Sequence, residues 1–149
     1  MGSLSLAQRG LVYVDANILI YTVERVAPYV QMLDPFWQQL GAQNAIAVTS
    51  ELTTVETLVG PLRSGDATLE ALFRRILFRS PTLRLLPITR DILERAARLR
   101  ATHPGLKTPD AIHAATALDA NCAQMLTNDP TFRQVAGLTV VAPQDLTSP

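Results

Sequence analysis

Short β-branched or aromatic runs alternate along this chain with longer stretches whose apolar residues recur at helical spacing. Leu11-Val12-Tyr13-Val14 ends at Asp15 and is followed by Asn17 and the apolar Ile18-Leu19-Ile20-Tyr21, which predicts a buried strand, a sharp turn and a helix. Pro28 to Leu40 has helical spacing through Val30, Leu33, Trp37 and Leu40, with Asp34-Pro35 as a break or restart and Gly41 as its close. Ala45 to Val48 predicts a second strand, and Thr49-Ser50-Glu51 supplies caps for a helix running to about Val59, before Gly60-Pro61. A further helix is expected over Ala67 to Phe78, and Leu83 to Ile88 has the pattern of a strand. Thr89 then caps a helix with Ile92, Ala96 and Leu99 on one face, ended by His103-Pro104-Gly105. Thr108-Pro109-Asp110 opens a helix to about Ala120, because proline suits the first helical position and a first-turn carboxylate favours the helix dipole. Met125-Leu126-Thr127 and Leu138 to Ala142 complete the set as strands.

Strands that alternate with helices imply parallel pairing through crossovers, hence an α/β sheet flanked by helices. Ligand sites in such sheets lie beyond the carboxyl ends of the strands. Asp15 and Asp129 both stand at such ends, whereas Asp110 opens a helix and joins them only if that helix starts on the same rim. The length, 149 residues, suits one domain with a real core. At 48% hydrophobic and 17% charged residues, with mean hydropathy +0.16, a packed globule is expected rather than a disordered chain. No apolar run approaches the roughly 20 residues that span a bilayer, and the stretch around Arg9 lacks the form of a secretory signal, so no membrane association is expected. Thirteen basic residues balance thirteen acidic ones, so any attraction to a polyanion must be local. The cluster Arg74, Arg75, Arg79 and Arg84 is expected as a solvated face. Cys122 is the single cysteine, which excludes an internal disulfide and a multi-thiolate metal site and points to the cytoplasm.

Candidate chemistry therefore rests on Asp15, Glu56, Asp110 and Asp129. Asp15 and Asp129 also suit turns, and Asp110 suits a helix start. Glu56 lies beside the apolar side of its helix, where a carboxylate needs a partner. Four segments carrying these acids resemble the successive motifs of PIN domains, most closely the VapC-type toxin ribonucleases of toxin–antitoxin pairs. They are Val14-Asp15-Ala16-Asn17-Ile18-Leu19-Ile20-Tyr21, Ser50-Glu51-Leu52-Thr53-Thr54-Val55-Glu56, Thr108-Pro109-Asp110-Ala111-Ile112-His113-Ala114-Ala115-Thr116-Ala117 and Leu126-Thr127-Asn128-Asp129. The resemblance runs from about Leu11 to Val141, and the expected organisation is one PIN-like domain over residues 1–149 with its core at about 11–141.

What the resemblance implies is an α/β/α sandwich on a mainly parallel sheet, with Asp15, Glu56, Asp110 and Asp129 gathered around Mg²⁺ or Mn²⁺, directly or through water. It implies supporting roles for Asn17 and Thr127, RNA as substrate, cleavage leaving a 5′-phosphate and a 3′-hydroxyl, a homodimer, and an antitoxin protein as partner. Physical chemistry agrees on the cation. Two carboxylates about 5 Å apart repel by roughly 3 kcal/mol at an effective dielectric of about 20, and hard oxygen donors suit Mg²⁺ or Mn²⁺. His113, three residues after Asp110, can donate to a carboxylate or to phosphate, or can be a hydrogen-bonded packing residue. Asn128 is assigned to the turn, His103 to a helix end and Cys122 to packing.

An Asp after the first strand also marks haloacid-dehalogenase-like phosphatases, but Asp15-Ala16-Asn17 lacks their second Asp. A receiver domain would need a phospho-acceptor Asp and a late Lys that find no match. The remaining alternatives are a PIN nuclease of RNA maturation or decay without an antitoxin, and a catalytically silent RNA-binding module. For a toxin, an arginine fork on the antitoxin would pair with the acids, its segment docking around Val30, Leu33 and Trp37.

Overall fold

The computed structural model describes residues 10–147. Arg9 and the rest of the amino end lie outside the described residues. The strands are β1 (Val12–Val14), β2 (Ala47–Ser50), β3 (Leu83–Leu86), β4 (Gln124–Leu126) and β5 (Val140–Val141). All pair in parallel, in the order β3-β2-β1-β4-β5. β1 thus sits at the centre, with Tyr13 in register with Val48 of β2 and Met125 of β4.

Helices α1 (Ala16–Val23), α2 (Tyr29–Ala42), α3 (Leu52–Ser64) and α4 (Ala67–Arg79) precede β3 or connect the first strands, and α5 (Arg90–Thr102) and α6 (Thr108–Asp119) lie between β3 and β4. Two apolar layers follow from the period-2 alternation of β1. Val12 and Val14 face Ile18, Leu33, Phe36, Leu40, Phe73 and Leu77 on one side. Tyr13 faces the other side, where Ile92 and Ala96 of α5 and Ala111, Ala114 and Ala115 of α6 pack. The small residues of α6 let that helix lie close on the sheet. This is the helix-flanked parallel sheet that the alternation predicts and the α/β/α sandwich that the resemblance implies.

Two helices run through their predicted stops. α2 continues past Pro35 and Gly41 to Ala42, because its buried stripe of Val30, Leu33, Phe36 and Leu40 is unbroken. Pro35 and Gln31, whose carbonyl loses its partner, are both exposed, so water can satisfy it. α3 continues past Gly60-Pro61, with Pro61 itself buried, and stops at Gly65, whose φ of 71° supplies the left-handed cap. Thr49 and Ser50 belong to β2, although Ser50 Oγ also accepts the Leu52 N–H at 3.0 Å at the start of α3, and β3 ends at Leu86 rather than Ile88. Thr89 does cap α5, accepting from the Ile92 N–H at 3.2 Å.

The docking place expected at Val30, Leu33 and Trp37 is overturned by burial. Leu33 is fully buried, Val30 nearly so, and Trp37 donates its indole N–H to Thr22 Oγ1 at 2.9 Å. Arg74, Arg75, Arg79 and Arg84 are exposed, as expected. Among the described residues no helix is long and apolar enough to cross a membrane.

Candidate active site

Asp15 leaves β1 with its backbone N–H still on the Leu126 carbonyl of β4 at 3.0 Å, which sets it on the carboxyl edge of the two central strands. Its carboxylate is buried and held from three sides. Oδ1 accepts the Ala16 N–H at 2.8 Å and so caps α1. Oδ2 accepts the Thr127 hydroxyl at 2.7 Å and the Asn17 amide at 3.4 Å. The same Thr127 oxygen accepts the Asp129 N–H at 3.1 Å, so one buried hydroxyl ties the acids of β1 and β4 together. Asp129 Oδ1 also accepts the Thr131 N–H, which is the turn role expected of it.

The position of Asp110 follows from topology. α6 leads through a four-residue link into the parallel strand β4, so its last turn lies at the amino edge and its first turn at the carboxyl edge. Asp110 therefore shares the rim with Asp15 and Asp129. Burial raises its carboxyl pKa, and the charges of Asp129, Asp15 and Glu56 raise it further against an opposing effect of His113. Asp15 is likewise raised by burial, despite the opposing His113 charge and the Thr127 and Ala16 hydrogen bonds.

Glu56 reaches the rim from α3 and finds the partner that its position requires. His113 Nε2 stands 2.6 Å from Glu56 Oε1 and 3.8 Å from Asp15 Oδ1. On the other side of the ring, Nδ1 is 2.6 Å from the Tyr13 hydroxyl, which accepts the Ser50 N–H at 3.1 Å. With Tyr13 donating to Nδ1, the neutral ring carries its hydrogen on Nε2 and donates it to Glu56. Burial disfavours the charged ring, but the Glu56 hydrogen bond and the charges of Asp15, Glu56 and Asp110 outweigh this and raise the His113 pKa. Both readings of His113, packing residue and carboxylate donor, therefore describe it.

Tyr13 and Ser50 carry no signal in the sequence that separates them from core and cap residues. Asn128 departs from its expected turn role: its amide donates to the hydroxyls of Tyr21 and Tyr29, each at 3.1 Å. Those two rings stack with centroids 4.2 Å apart, so Asn128 locks the chain between Thr127 and Asp129 to α1 and α2.

The described residues contain no group of three His, Cys, Asp or Glu side chains converging closely enough, as they stand, to hold a metal ion. The donor set nevertheless fits a hard cation in kind. The site gathers carboxylates whose ionisation is disfavoured, and beside them the side-chain amide oxygen of Asn17, Oδ1, is buried with no hydrogen-bond donor.

A family model described as PIN domain matches residues 12–138. The chain belongs to the PIN domain family. Among solved structures, this PIN domain is similar to a toxin–antitoxin complex from Klebsiella pneumoniae, at 29% identity and TM-score 0.66, covering 89% of this chain and 97% of that one. It also shares its fold with VapBC2 from Rickettsia felis bound to a promoter DNA fragment, at 20% identity and TM-score 0.70, covering 89% and 98%. FitAcB from Neisseria gonorrhoeae has the same fold, at 19% identity and TM-score 0.68, again covering 89% and 98%. No curated protein sequence matches this PIN domain at a significant level.

Proposed function

We propose that this PIN domain is a metal-dependent endoribonuclease of the cytoplasm, using Mg²⁺ or Mn²⁺, and the toxin of a type II toxin–antitoxin pair. The observation that carries the reading is the gathering of acids from four separate elements at one rim, Asp15 and Asp129 joined through Thr127, Glu56 and Asp15 both at His113 Nε2, and Asp110 near enough for their charges to raise its pKa. Family membership and the similarity to toxin–antitoxin complexes support it. Asp15, Glu56, Asp110 and Asp129 would hold the cation, directly or through water, and Asn17 offers a further hard oxygen. When bound, the cation neutralises phosphate charge and lowers the pKa of a water.

The chain's own residues do the positioning. Thr127 and the Ala16 N–H hold the Asp15 carboxylate in one orientation. His113 holds Glu56 by its Nε2, and Tyr13, fixed by the Ser50 N–H, holds the ring. An antitoxin that presents an arginine fork to these acids would compete with the cation. A homodimer is proposed from the same resemblance.

The test is cleavage of single-stranded RNA by the purified protein with Mn²⁺, with chelator, and with Mn²⁺ added back. Cleavage that needs the cation and yields 5′-phosphate ends supports the reading. Cleavage indifferent to chelator, or none on any RNA, overturns it. Co-expression with the product of any small adjacent gene tests the toxin part, which fails if that product binds without reducing cleavage.

A further inference from the structure

Beside the acid rim, at the carboxyl ends of β4 and β5, lies a cavity of about 330 Å³. Crevices at that edge of a parallel sheet are where ligands are taken up. The segment that carries Asp129 lines it and is fixed from two directions: Thr127 Oγ1 accepts the Asp129 N–H at 3.1 Å, and the Asn128 amide gives both its hydrogens to Tyr21 and Tyr29. Val140 and Ala142 add apolar surface, and Arg133 and Asp145 add charge. Arg133 is loosely paired. Its Nη2 lies 4.0 Å from Asp145 Oδ2, beyond hydrogen-bond length, and that oxygen already accepts the Ala142 N–H at 3.0 Å. The Arg133 side chain is 54% exposed, yet its backbone is anchored. Phe132 beside it is fully buried, and Asp129 caps the 3₁₀ helix Pro130–Gln134 that carries both.

An anchored backbone with a weakly engaged guanidinium suits a phosphate, which the planar fork of arginine grips through two parallel hydrogen bonds. Size and position narrow the occupant further. Small-molecule sites run from about 300 to 1,000 Å³, and a cavity at the low end of that range takes one nucleotide rather than a folded segment. Asp129, one of the four acids proposed to hold the cation, lines the same cavity. Four residues of 3₁₀ helix, at about 2 Å each, set Arg133 about 8 Å along the axis from Asp129, a step of one nucleotide along an extended strand. Because thirteen basic residues only balance thirteen acidic ones, RNA meets no general attraction, and a cation fixed beside the acids has to supply it locally. We infer that this cavity seats the nucleotide adjoining the scissile phosphate, with the next phosphate along the strand held by Arg133 in place of Asp145. The inference rests on the ribonuclease reading and adds to it a substrate-binding residue outside the four acids.

The test uses the full chain and short single-stranded RNA oligonucleotides cut at a mapped bond, each with one linkage made a neutral methylphosphonate. Arg133→Gln should raise KM about tenfold and leave kcat within about twofold, as expected when a contact is equally strong in bound substrate and transition state. Neutralising the linkage next to the cut should do the same to the wild type and add nothing to Arg133→Gln, because guanidinium and phosphate act as a pair. Ala142→Leu, which fills the cavity and spares Arg133, should also raise KM. Both variants should bind Mn²⁺ like the wild type. Fluorescence anisotropy of the same oligonucleotides, with Ca²⁺ in place of Mn²⁺, reads binding rather than cleavage and should show the same loss at the same linkage. Equal KM and affinity in wild type and Arg133→Gln overturn the inference, and so does a methylphosphonate effect of the same size in both. Weaker Mn²⁺ binding by Arg133→Gln overturns it too, since Arg133 would then support the acids instead. If no RNA is cut, the ribonuclease reading falls, and the pocket stands only if affinity still depends on Arg133 and on one linkage.

Discussion

Val12 and Val14 point from β1 into a layer of aliphatic and phenyl side chains, whereas Tyr13, between them, points into a layer that also contains His113 and Thr49. The first layer keeps its side-chain polar groups, the Trp37 indole and the Tyr21 and Tyr29 hydroxyls, on partly buried residues at its margin, and hydrophobic burial sets most of its contribution. The second layer places a hydroxyl and an imidazole in the interior, where each must keep its partners or cost stability. One strand thus serves cohesion on one face and, on the other, carries a hydrogen-bonded chain from the Ser50 N–H through Tyr13 and His113 to Glu56. The difference teaches where changes should separate stability from chemistry.

The largest separation is expected at the rim. Asp15→Asn, Asp110→Asn and Asp129→Asn should each lower Mn²⁺-dependent RNA cleavage by at least about 10³-fold while the fold persists, and double variants should lose little more. Glu56→Gln should act in the same way. Circular dichroism beside a cleavage assay checks this. A variant that cleaves at the wild-type rate removes its residue from the site.

In the apolar layer the order reverses. Phe73 is fully buried between α4 and the sheet, so Phe73→Ala should cost about 3–5 kcal/mol of stability through lost burial and a residual cavity. Molecules that remain folded should keep normal metal affinity at the rim. Urea unfolding and metal titration below the transition measure the two effects separately. Loss of metal affinity in the folded variant would show that the layers are coupled through β1.

How much of this contrast is legible in the sequence depends on the range of the interaction. The parallel α/β order and the four acids are legible because strand alternation, helix spacing and short motifs are local. The break at Asp34-Pro35 and the helix end before Gly60-Pro61 are misread because burial of a continuous stripe outweighs the cost of a missing N–H, and only the fold shows which side of the helix is buried. The link from Tyr13 to His113 spans 100 residues, and Tyr13 in a strand reads as one more large apolar residue. His113 reads either as packing or as a donor, and the difference lies in Glu56, which reaches it from another helix. Asn128 looks like a turn residue because its two tyrosine partners are remote in sequence.

Tyr13→Phe sharpens the comparison by keeping the ring and removing one oxygen. The Ser50 N–H and His113 Nδ1 both lose their partner, which should cost about 1–3 kcal/mol, while packing against Val48 and Met125 stays. Cleavage should fall less than in the acid variants, because Glu56 remains but is held by a ring that can turn. Equal stability of Tyr13→Phe and wild type would show that water replaces the hydroxyl.

The polar layer should also give the metal-free protein a pH dependence that the apolar layer cannot. Asp15, Asp110 and His113 all have raised pKa values, so each binds its proton more tightly in the folded chain than in the unfolded one. Stability therefore falls as pH rises: for the two carboxyls from 3.8 up through their folded values, and for His113 from 6.5 up through its own. Lowering the pH from neutral into these windows should raise the urea midpoint of the chelated protein, and Asp110→Asn should flatten that slope. Saturating Mn²⁺ should flatten it too, by favouring the ionised carboxylates. A midpoint that rises from pH 5 to pH 7 in the chelated wild type would reverse the sign and place the acids outside one another's influence.

The smallest expected effect tests whether the layer that holds the polar chain is dry away from the rim. Cys122 follows α6 at the amino edge and packs against the Tyr13 side of the core. Burial alone pushes its thiol up to about 11, from an ordinary value of 9.0, so almost no thiolate is present near neutral pH. At pH 8 the native chain should alkylate about a hundredfold more slowly than the chain in urea, from the ratio of thiolate fractions alone. Because Cys122 is the single cysteine, one labelling rate reports this environment without ambiguity. A native rate equal to the unfolded one would mean that water reaches the amino edge of this layer, and the contrast with the Val12 and Val14 side would then extend along the whole strand.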